Sequence, residues 1–538
     1  MQRFLVEGEG FVFPVAGAAK EIDPRLERAR IALDGAAYDA CVSLCDQLLA
    51  EQPDLPPALY MAGVARFRRG EPEVGTAMIG RAASLSPDNI LLRVDHANSL
   101  QAMGLTHAAA QMLLEGLQRH GPHPEIALRL SQLFADAGQH HKAQQLLVES
   151  IAAHPTRTDL CCQLASELAA DLRIQEAMTL MRLAAELCGM TPAIHSSLAV
   201  LEQAKGNLEA ALPHYEAAIA IEPDAPLAHA NMATALLMGL DFERGFQEAE
   251  WRLKTKNMRV APVEAPRWQG ESLTGKSLLL TAEQGFGDMI QYSRFIPRLL
   301  AYGAGEVIVE CHEGLERLFA RLPGVSRCLP ISDAPLPSTD YTIPLVSLPL
   351  VVGCDRAFLE ASVPYFDLPP PMRLPDAREG CRKVGLVWTS RPAFGEVFAR
   401  RMLNRRNCPL EHLIRFDGIE GLQLYSLQKG YAVDQLQGAG LTITDLSPRL
   451  GDFADTAAAI AALDLVITVD TSVAHLTAAL GKPVWIMLSP GQMDYRWGLE
   501  ETTPWYPRAR LYRGGTDGWA GLTARIARDL KKPDAFEA

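Results

Sequence analysis

Residues 463–488 read LDLVITVDTSVAHLTAALGKPVWIML. This order of residue types predicts strand, tight turn, helix, strand. Leu463 to Val469 is apolar and rich in β-branched residues, as suits a strand buried on both faces. Asp470-Thr471-Ser472 can cap the helix that comes next. That helix should run from about Val473 to Leu480 and stop at Gly481, with Pro483 just beyond. Val484 to Leu488 is the next strand. Two strands joined through a helix form a βαβ unit, which implies a parallel sheet. Ligands of such sheets sit beyond the carboxyl ends of the strands, where helix N-termini favour phosphate. Asp470, Thr471, Ser472 and His475 fall at that place.

The chain around this unit has 538 residues, enough for three or four domains. Its 48% hydrophobic and 21% charged content is that of a folded protein. A net charge of -13 argues against nucleic acid as a partner, because binders of the phosphate backbone present a basic surface. A small nucleotide remains compatible with it. Ten cysteines lie scattered without CxxC pairs or histidine clusters, which reads as reduced core thiols in a cytoplasmic protein. Cys41 and Cys45 stand four apart on a predicted helix, and Cys161 and Cys162 are adjacent. MQRFLVEGEGFVFP carries no apolar core of the signal-peptide kind, and no uncharged apolar run reaches ~18 residues, so no membrane span is expected.

Residues 1–21 read as a tail or short cap. From 22 to 255 a period of 34 runs through the chain. Pro53, Pro87, Gly121, Pro155, Gly189 and Pro223 close successive blocks, and Gly70, Gly104, Gly138 and Gly206 punctuate their middles. In LAVLEQAKGNLEAALPHYEAAIAIEP, Ala211, Tyr215 and Pro223 fall in the A-x3-F…P arrangement of the tetratricopeptide repeat. Small residues recur at Gly63, Ala97, Ala165, Ala199 and Ala233, where paired helices must approach closely. About seven repeats are expected, starting near Ile22, Pro56, Ile90, Pro124, Thr158, Pro192 and Pro226. Such arrays stack helix pairs into a superhelix with a concave groove. If the first helix of each pair lines it, as in that family, the lining includes Tyr60, Phe67, Leu91, Asn98, Leu128, Gln132, Val200, Gln203 and Leu237. The set is apolar and neutral-polar, which suits an apolar peptide of a partner protein. An array that only packs against the rest of the chain is the plainer alternative.

Residues 256–276, rich in Pro and Gly, read as a connector. Beyond it, SLLLTA (Ser277–Ala282) predicts a strand. The turn Glu283-Gln284-Gly285-Phe286-Gly287-Asp288 then leads into a helix from Met289 to Tyr302. A strand over Glu306–Cys311 and weaker strands near Cys328 and Tyr341 complete a first α/β domain, 277–366. The turn fails as a dinucleotide fingerprint, because Ile290 stands where a third Gly or Ala is needed, and no GK[ST] comes after it to make a Walker loop. Gly285 and Gly287 still let a ligand approach the backbone. Asp288 sits in the first turn of the helix, where it can cap it and offset the dipole. In a cleft it could also serve as general base toward a hydroxyl. LPPPMRLP (Leu368–Pro375), with Pro364 before it, reads as a semi-rigid hinge.

The second α/β domain, 381–530, opens with the strand Lys383–Trp388. The loop after it concentrates Arg391, Arg400, Arg401, Arg405 and Arg406, whose forks match phosphate oxygens. Another strand covers Leu422 to Gln428, and Asp452 begins the helix before the opening stretch. DYRWGLEETTPWYP (Asp494–Pro507) puts aromatic residues and one Arg where they could rim a sugar or base, or equally form a packed connection.

Four segments together carry a resemblance: LTAEQGFGDMIQYSRF, VGLVWTS followed by NRRNCPL, DFADTAAAIAALDLVITVDTSVAHLTAALGKPVW, and RWGLEETTPWYPRARLYR. They resemble the bacterial tetratricopeptide-repeat glycosyltransferases, whose catalytic part is similar to the heptosyltransferase family and more remotely to O-GlcNAc transferase. The resemblance implies an all-α repeat superhelix followed by a GT-B fold, two Rossmann-like domains facing a cleft. The donor nucleotide would lie on the C-terminal side and the acceptor on the N-terminal side. It implies Asp288 as catalytic base, and Asp470, Thr471, Ser472 and His475 as the holders of nucleotide phosphate and sugar, with His475 also at the chemistry. Arg406 matches the arginine of the family's R-S-I-P-L segment, written here Arg406-Asn407-Cys408-Pro409-Leu410. Thr389-Ser390-Arg391 departs from the family's Ala-Gly-Asn or Ala-Gly-Ser, and Ser472 stands where Gly is common.

The resemblance further implies a metal-independent transfer, in keeping with the lack of an Asp-x-Asp motif. No cofactor is expected, the nucleotide-sugar being the donor substrate. A repeat array fused to such a part implies a protein acceptor modified on Ser or Thr, met in the cytoplasm, with flagellin as the leading candidate. The alternative is a protein-binding scaffold whose GT-B part no longer turns over, with the departure at Thr389-Ser390-Arg391 as its main support.

Overall fold

The computed structural model describes residues 23–255, 258–283, 285–390, 405–491 and 494–532. Gln284, Arg391, Arg400 and Arg401, singled out in the sequence, lie outside the described residues, as does the 1–21 segment. Two compact units divide the chain: 1–168 with 179–189, and 169–178 with 190–538.

Helix pairs fill 24–249. The first members are Pro24–Asp34, Pro56–Arg68, Ile90–Ala102, Pro124–Asp136, Thr158–Ala170, Pro192–Ala204 and Pro226–Met238. The second members are Tyr38–Glu51, Pro72–Leu85, Thr106–His120, His140–Ala153, Ile174–Cys188, Leu208–Ile221 and Phe242–Ala249. Proline opens many of them, because the first helical N–H has no partner to lose. Each pair turns through one left-handed residue. Gly70, Gly104, Gly138 and Gly206 hold φ between 74° and 92°. The equivalent positions of the other repeats are Ala36, Leu172 and Leu240, at φ of 56°, 63° and 63°. The turn geometry therefore persists where the glycine signal lapses, at a cost of roughly 1 kcal/mol per substituted turn.

In the first unit Cys41, Cys45, Leu48, Leu59 and Ile79 are buried together. Leu113, Ile126, Leu130 and Leu133 form a further cluster. One polar pair is sealed among them: the Tyr60 hydroxyl donates to Asp95 Oδ2 at 2.8 Å. Burial pushes the Asp95 carboxyl up to about 6, and the bonds from Tyr60 and Asn98 only partly offset this. Tyr60 is thus 5% exposed and packed between repeats, and does not line an open groove as expected. Leu237 is likewise buried, at 3%, in the core of the second unit, whereas Leu91 is 49% exposed.

The second unit carries two parallel sheets. The smaller holds β1 (Ser277–Thr281), β2 (Glu306–Cys311), β3 (Arg327–Pro330) and β4 (Tyr341–Pro344), in the order β3-β2-β1-β4. The larger holds β5 (Arg382–Val387), β6 (Leu422–Ser426), β7 (Thr444–Asp445), β8 (Leu465–Val469), β9 (Val484–Leu488) and β10 (Ala509–Arg513), in the order β10-β9-β8-β5-β6-β7. Every residue of β8 and β9 is buried, as their unbroken apolar runs require. The strand order reverses at β1/β4 in one sheet and at β5/β8 in the other, and ligands favour such switch points.

The expected helix over Met289–Tyr302 begins earlier and changes character. It is α-helical over Phe286–Tyr292 and a 3-10 helix over Ser293–Tyr302. Pro297 lies inside the second part and has no N–H to give the α ladder. The last repeat helix is built into this unit, with Phe242 edge-on to Trp505 at 6.1 Å and Phe246 edge-on to Tyr292 at 6.4 Å. The short helix Glu250–Lys254 comes next and delivers Arg252, 6% exposed. Its guanidinium donates to Glu283, in the loop after β1, and to Ser347 at 2.7 Å.

Candidate active site

The loop after β1 turns into the helix Phe286–Tyr292 at Gly285, whose N–H is capped by the third helical residue. Gly285 N–H donates to Asp288 Oδ2 at 3.1 Å. The other oxygen, Oδ1, accepts from Arg496 Nη2. Among the described residues each carboxylate oxygen thus has one hydrogen-bond donor. Burial pushes the Asp288 carboxyl up from its ordinary value, the Arg496 guanidinium opposes this, and Asp494 adds to the rise. Gly287 does not face open space for a ligand, contrary to expectation. A Cβ placed there would lie 2.8 Å from His475 Cδ2 and 3.3 Å from Nε2, so glycine is what lets this helix close on the imidazole.

His475 belongs to the helix Ser472–Ala479 after β8. It is 4% exposed, its Nδ1 is 2.9 Å from the Tyr506 hydroxyl, and it stacks on Trp497 with ring centroids 5.1 Å apart. Burial holds the imidazole well below its ordinary pKa, and the guanidinium of Arg496 adds to this. His475 is therefore neutral at neutral pH.

Thr471 is the residue at the N-cap of that helix, but it makes no side-chain cap. Its hydroxyl meets that of Thr468 at 2.9 Å, a partner supplied by the strand itself, so the expected capping bond is not made. Thr471 and Ser472 are half-buried at the switch point. Asp470 is 5% exposed, and its Oδ2 accepts from Arg406 Nη1 at 3.0 Å. The predicted phosphate-facing arginine is thus paired with the predicted nucleotide-side carboxylate. Arg405, beside it, lies 3.6 Å from Asp171.

The loop after β5 departs from the expected pattern, and the structure accounts for two of its positions. Gln428 Oε1 accepts from the N–H groups of Trp388 at 3.1 Å and Thr389 at 3.0 Å. Asn407 Oδ1 accepts from Ser390 N–H at 2.8 Å and from the Ser390 hydroxyl at 3.2 Å. The two unusual residues, Ser390 and Asn407, hold each other.

The sequence marked Arg496 only as one member of a rim. The structure makes it the hub. Its Nη1 donates to Asp494 Oδ2 at 2.7 Å, its Nε to Gln291, its Nη2 to Asp288, and the guanidinium lies 4.6 Å from the Tyr495 ring centre. Gly285 and Arg496 thus hold Asp288, and Tyr506 holds His475. Arg496 and Tyr506 could have been suspected only from a lone arginine among aromatics. A cavity of about 880 Å3 opens elsewhere, between 259–265 and 331–338, and contains none of the predicted site residues.

Comparison with known proteins gives the same region a relative. Residues 430–505 match the family model "Glycosyltransferase family 9 (heptosyltransferase)". This span holds Asp470, Thr471, Ser472, His475 and Arg496, and leaves Asp288 and Arg406 outside it. Protein FlbA of Caulobacter vibrioides is 25% identical over 553 residues, taking in 94% of this chain and 89% of that protein. Among solved structures, a thermophilic TPR protein of Thermus thermophilus is 21% identical. It covers 34% of this chain and 99% of its own, with a TM-score of 0.29. A tetratricopeptide repeat protein from Parabacteroides merdae is 14% identical, covers 44% of this chain and 93% of its own, with a TM-score of 0.37. The chain thus joins a long array of helix pairs to parallel sheets, within which residues 430–505 match the glycosyltransferase family 9 model. Among the described residues, no helix is long and apolar enough to cross a membrane.

Proposed function

We propose that this chain is a glycosyltransferase that moves a sugar from a nucleotide-sugar to a Ser or Thr hydroxyl of a protein held by the repeat array. The observation that carries the reading is the meeting of the helix after β1 with the segment matched to family 9, Asp288 with Arg496 and Gly287 with His475. The two sheets would serve as the halves of a GT-B enzyme, with the acceptor toward β1 and the donor toward the β5/β8 switch point. No metal or resident cofactor takes part.

In the transfer, the acceptor oxygen attacks C1 of the sugar. The bond from C1 to the phosphate oxygen breaks, and the nucleotide leaves with that electron pair. Asp288 takes the acceptor's proton. Backbone N–H groups at Thr471 and Ser472 and the guanidinium of Arg406 stabilise charge on the leaving phosphate. Asp470 holds Arg406 in place until that anion arrives. Flagellin, met in the cytoplasm, is the acceptor this reading puts first, as a protein substrate of the array.

The second reading, a protein-binding scaffold with an inactive GT-B part, draws on the same ion pairs, since both candidate carboxylates already have an arginine. Intact-mass spectrometry separates the two. Partners captured with the natural chain and with Asp288→Asn are weighed. The transferase reading expects equal capture, with a sugar-sized mass missing only beside the variant. Equal capture with unchanged mass gives the scaffold reading.

A further inference from the structure

Tyr506 stands one residue beyond the family 9 segment and touches His475 from the side away from Gly287. Its hydroxyl has one proton, and two groups that could accept it lie within reach: His475 Nδ1 at 2.9 Å and the Tyr365 hydroxyl at 3.5 Å. Were Nδ1 the donor, the Tyr506 proton would be left with the long contact to Tyr365, at the limit of hydrogen bonding. With Tyr506 as donor, the short bond is made and Nδ1 is the acceptor.

A second observation favours the same direction. Arg294 is 2% exposed, and its guanidinium lies 4.7 Å from the Tyr506 ring centre and 4.8 Å from that of Tyr365. It is fixed there by bonds from Nη1 to Trp505 O at 2.9 Å and from Nε to Gln291 O at 3.0 Å. A buried positive charge on a phenol ring draws electron density from its oxygen and makes the O–H a stronger donor.

We infer that Tyr506, polarised by Arg294, is a positioning residue that fixes His475 as the neutral tautomer with its proton on Nε2. The Nε2–H then lies on the ring edge that faces Gly287 of the helix Phe286–Tyr292, as a donor for a hydroxyl or phosphate oxygen of the substrate. His475 so placed orients and stabilises. It does not deliver a proton, because the same burial that holds it keeps it uncharged. The use of the donor rests on the transferase reading, while the tautomer does not.

The test is long-range nitrogen–proton NMR of the full chain with labelled histidines, the His475 signals being assigned by their loss in His475→Gln. The natural chain should show one neutral Nε2–H pattern. Tyr506→Phe should replace it with a mixture of tautomers, and Tyr365→Phe should leave it alone. An Nδ1–H pattern in the natural chain overturns the inference even if Tyr506→Phe fails to fold. So does an unchanged pattern in a folded Tyr506→Phe. Where the mass assay shows transfer, Tyr506→Phe should slow it roughly ten-fold with partner capture unchanged. Absence of transfer in the natural chain, with the Nε2–H pattern present, rejects the transferase reading and keeps the tautomer.

Discussion

The first unit and the second spend their charged residues differently. In the first, arginines pair across exposed surface, as Arg30 does with Glu27 and Asp34, or Arg81 with Asp54. Such pairs contribute little. Stability there comes from small apolar contacts repeated every 34 residues. In the second, several arginines go inward, although others, such as Arg244 and Arg356, still pair at the surface. Arg252 meets Glu283, Arg259 meets Glu310, Arg406 meets Asp470, and Arg496 meets Asp288. Desolvating ions is expensive, and a protein that does it repeatedly around two strand-end loops is holding those loops in fixed geometry. The repeat region is built for length and surface, the sheet region for position.

Removing one inward arginine should have a larger effect than either of two array substitutions, at Asp95 and at Ala36. Arg252→Met leaves Glu283 without its guanidinium and Glu250 with that of Arg267 only, and burial already pushes the Glu283 carboxyl up. The expected loss is about 3 kcal/mol, read as a lower denaturant midpoint for the second unit, with hydrogen exchange in the first unit unchanged.

Asp95 is a buried carboxyl within the array and should show the next largest effect. Its folded pKa, about 6, lies above that of a free carboxylate. Its share of stability is therefore whole below pH about 4 and lost as pH rises through about 6. Asp95→Asn keeps an acceptor for Tyr60 and removes the ionisation. It should stabilise the first unit by roughly 2 kcal/mol at pH 7.5 and hardly at all at pH 4. Equal gains at both pH values would deny the burial cost.

The smallest effect tests the turn. Ala36 holds a left-handed φ of 56° where other repeats have glycine. Ala36→Gly should raise the melting midpoint of the first unit by an amount equivalent to about 1 kcal/mol. A loss would mean that the chain entropy of glycine outweighs the strain.

The same contrast decides what could be read from the sequence. The array and the unit around β8 were legible because periodicity and unbroken apolar runs are local signals. Asp288, Arg406 and the 470–475 segment could be singled out from residue type and place in their elements. What they touch could not. Arg496 reaches Asp288 across 208 residues, from a stretch with no period to mark it. Gly287 looked like room for a ligand and is room for His475. Thr471 looked like a cap, and its hydroxyl was already engaged by Thr468. Tyr60 looked like groove because its position in the repeat faces inward, but a buried Asp95 one repeat later takes its hydroxyl. In each case the deciding partner lies outside the local pattern.

The most direct measurement is nucleotide release followed by phosphorus NMR. Purified chain and its captured partner are mixed in turn with sugars activated by UDP, GDP, ADP and CMP. Asp288→Asn is run beside the natural chain. The account predicts that one donor releases its nucleotide in step with sugar added to the partner. It also predicts that Asp288→Asn binds that donor but releases on the order of 10²–10⁴-fold more slowly. Release at the same rate by the variant, or from none of the donors while the partner stays bound, would contradict it.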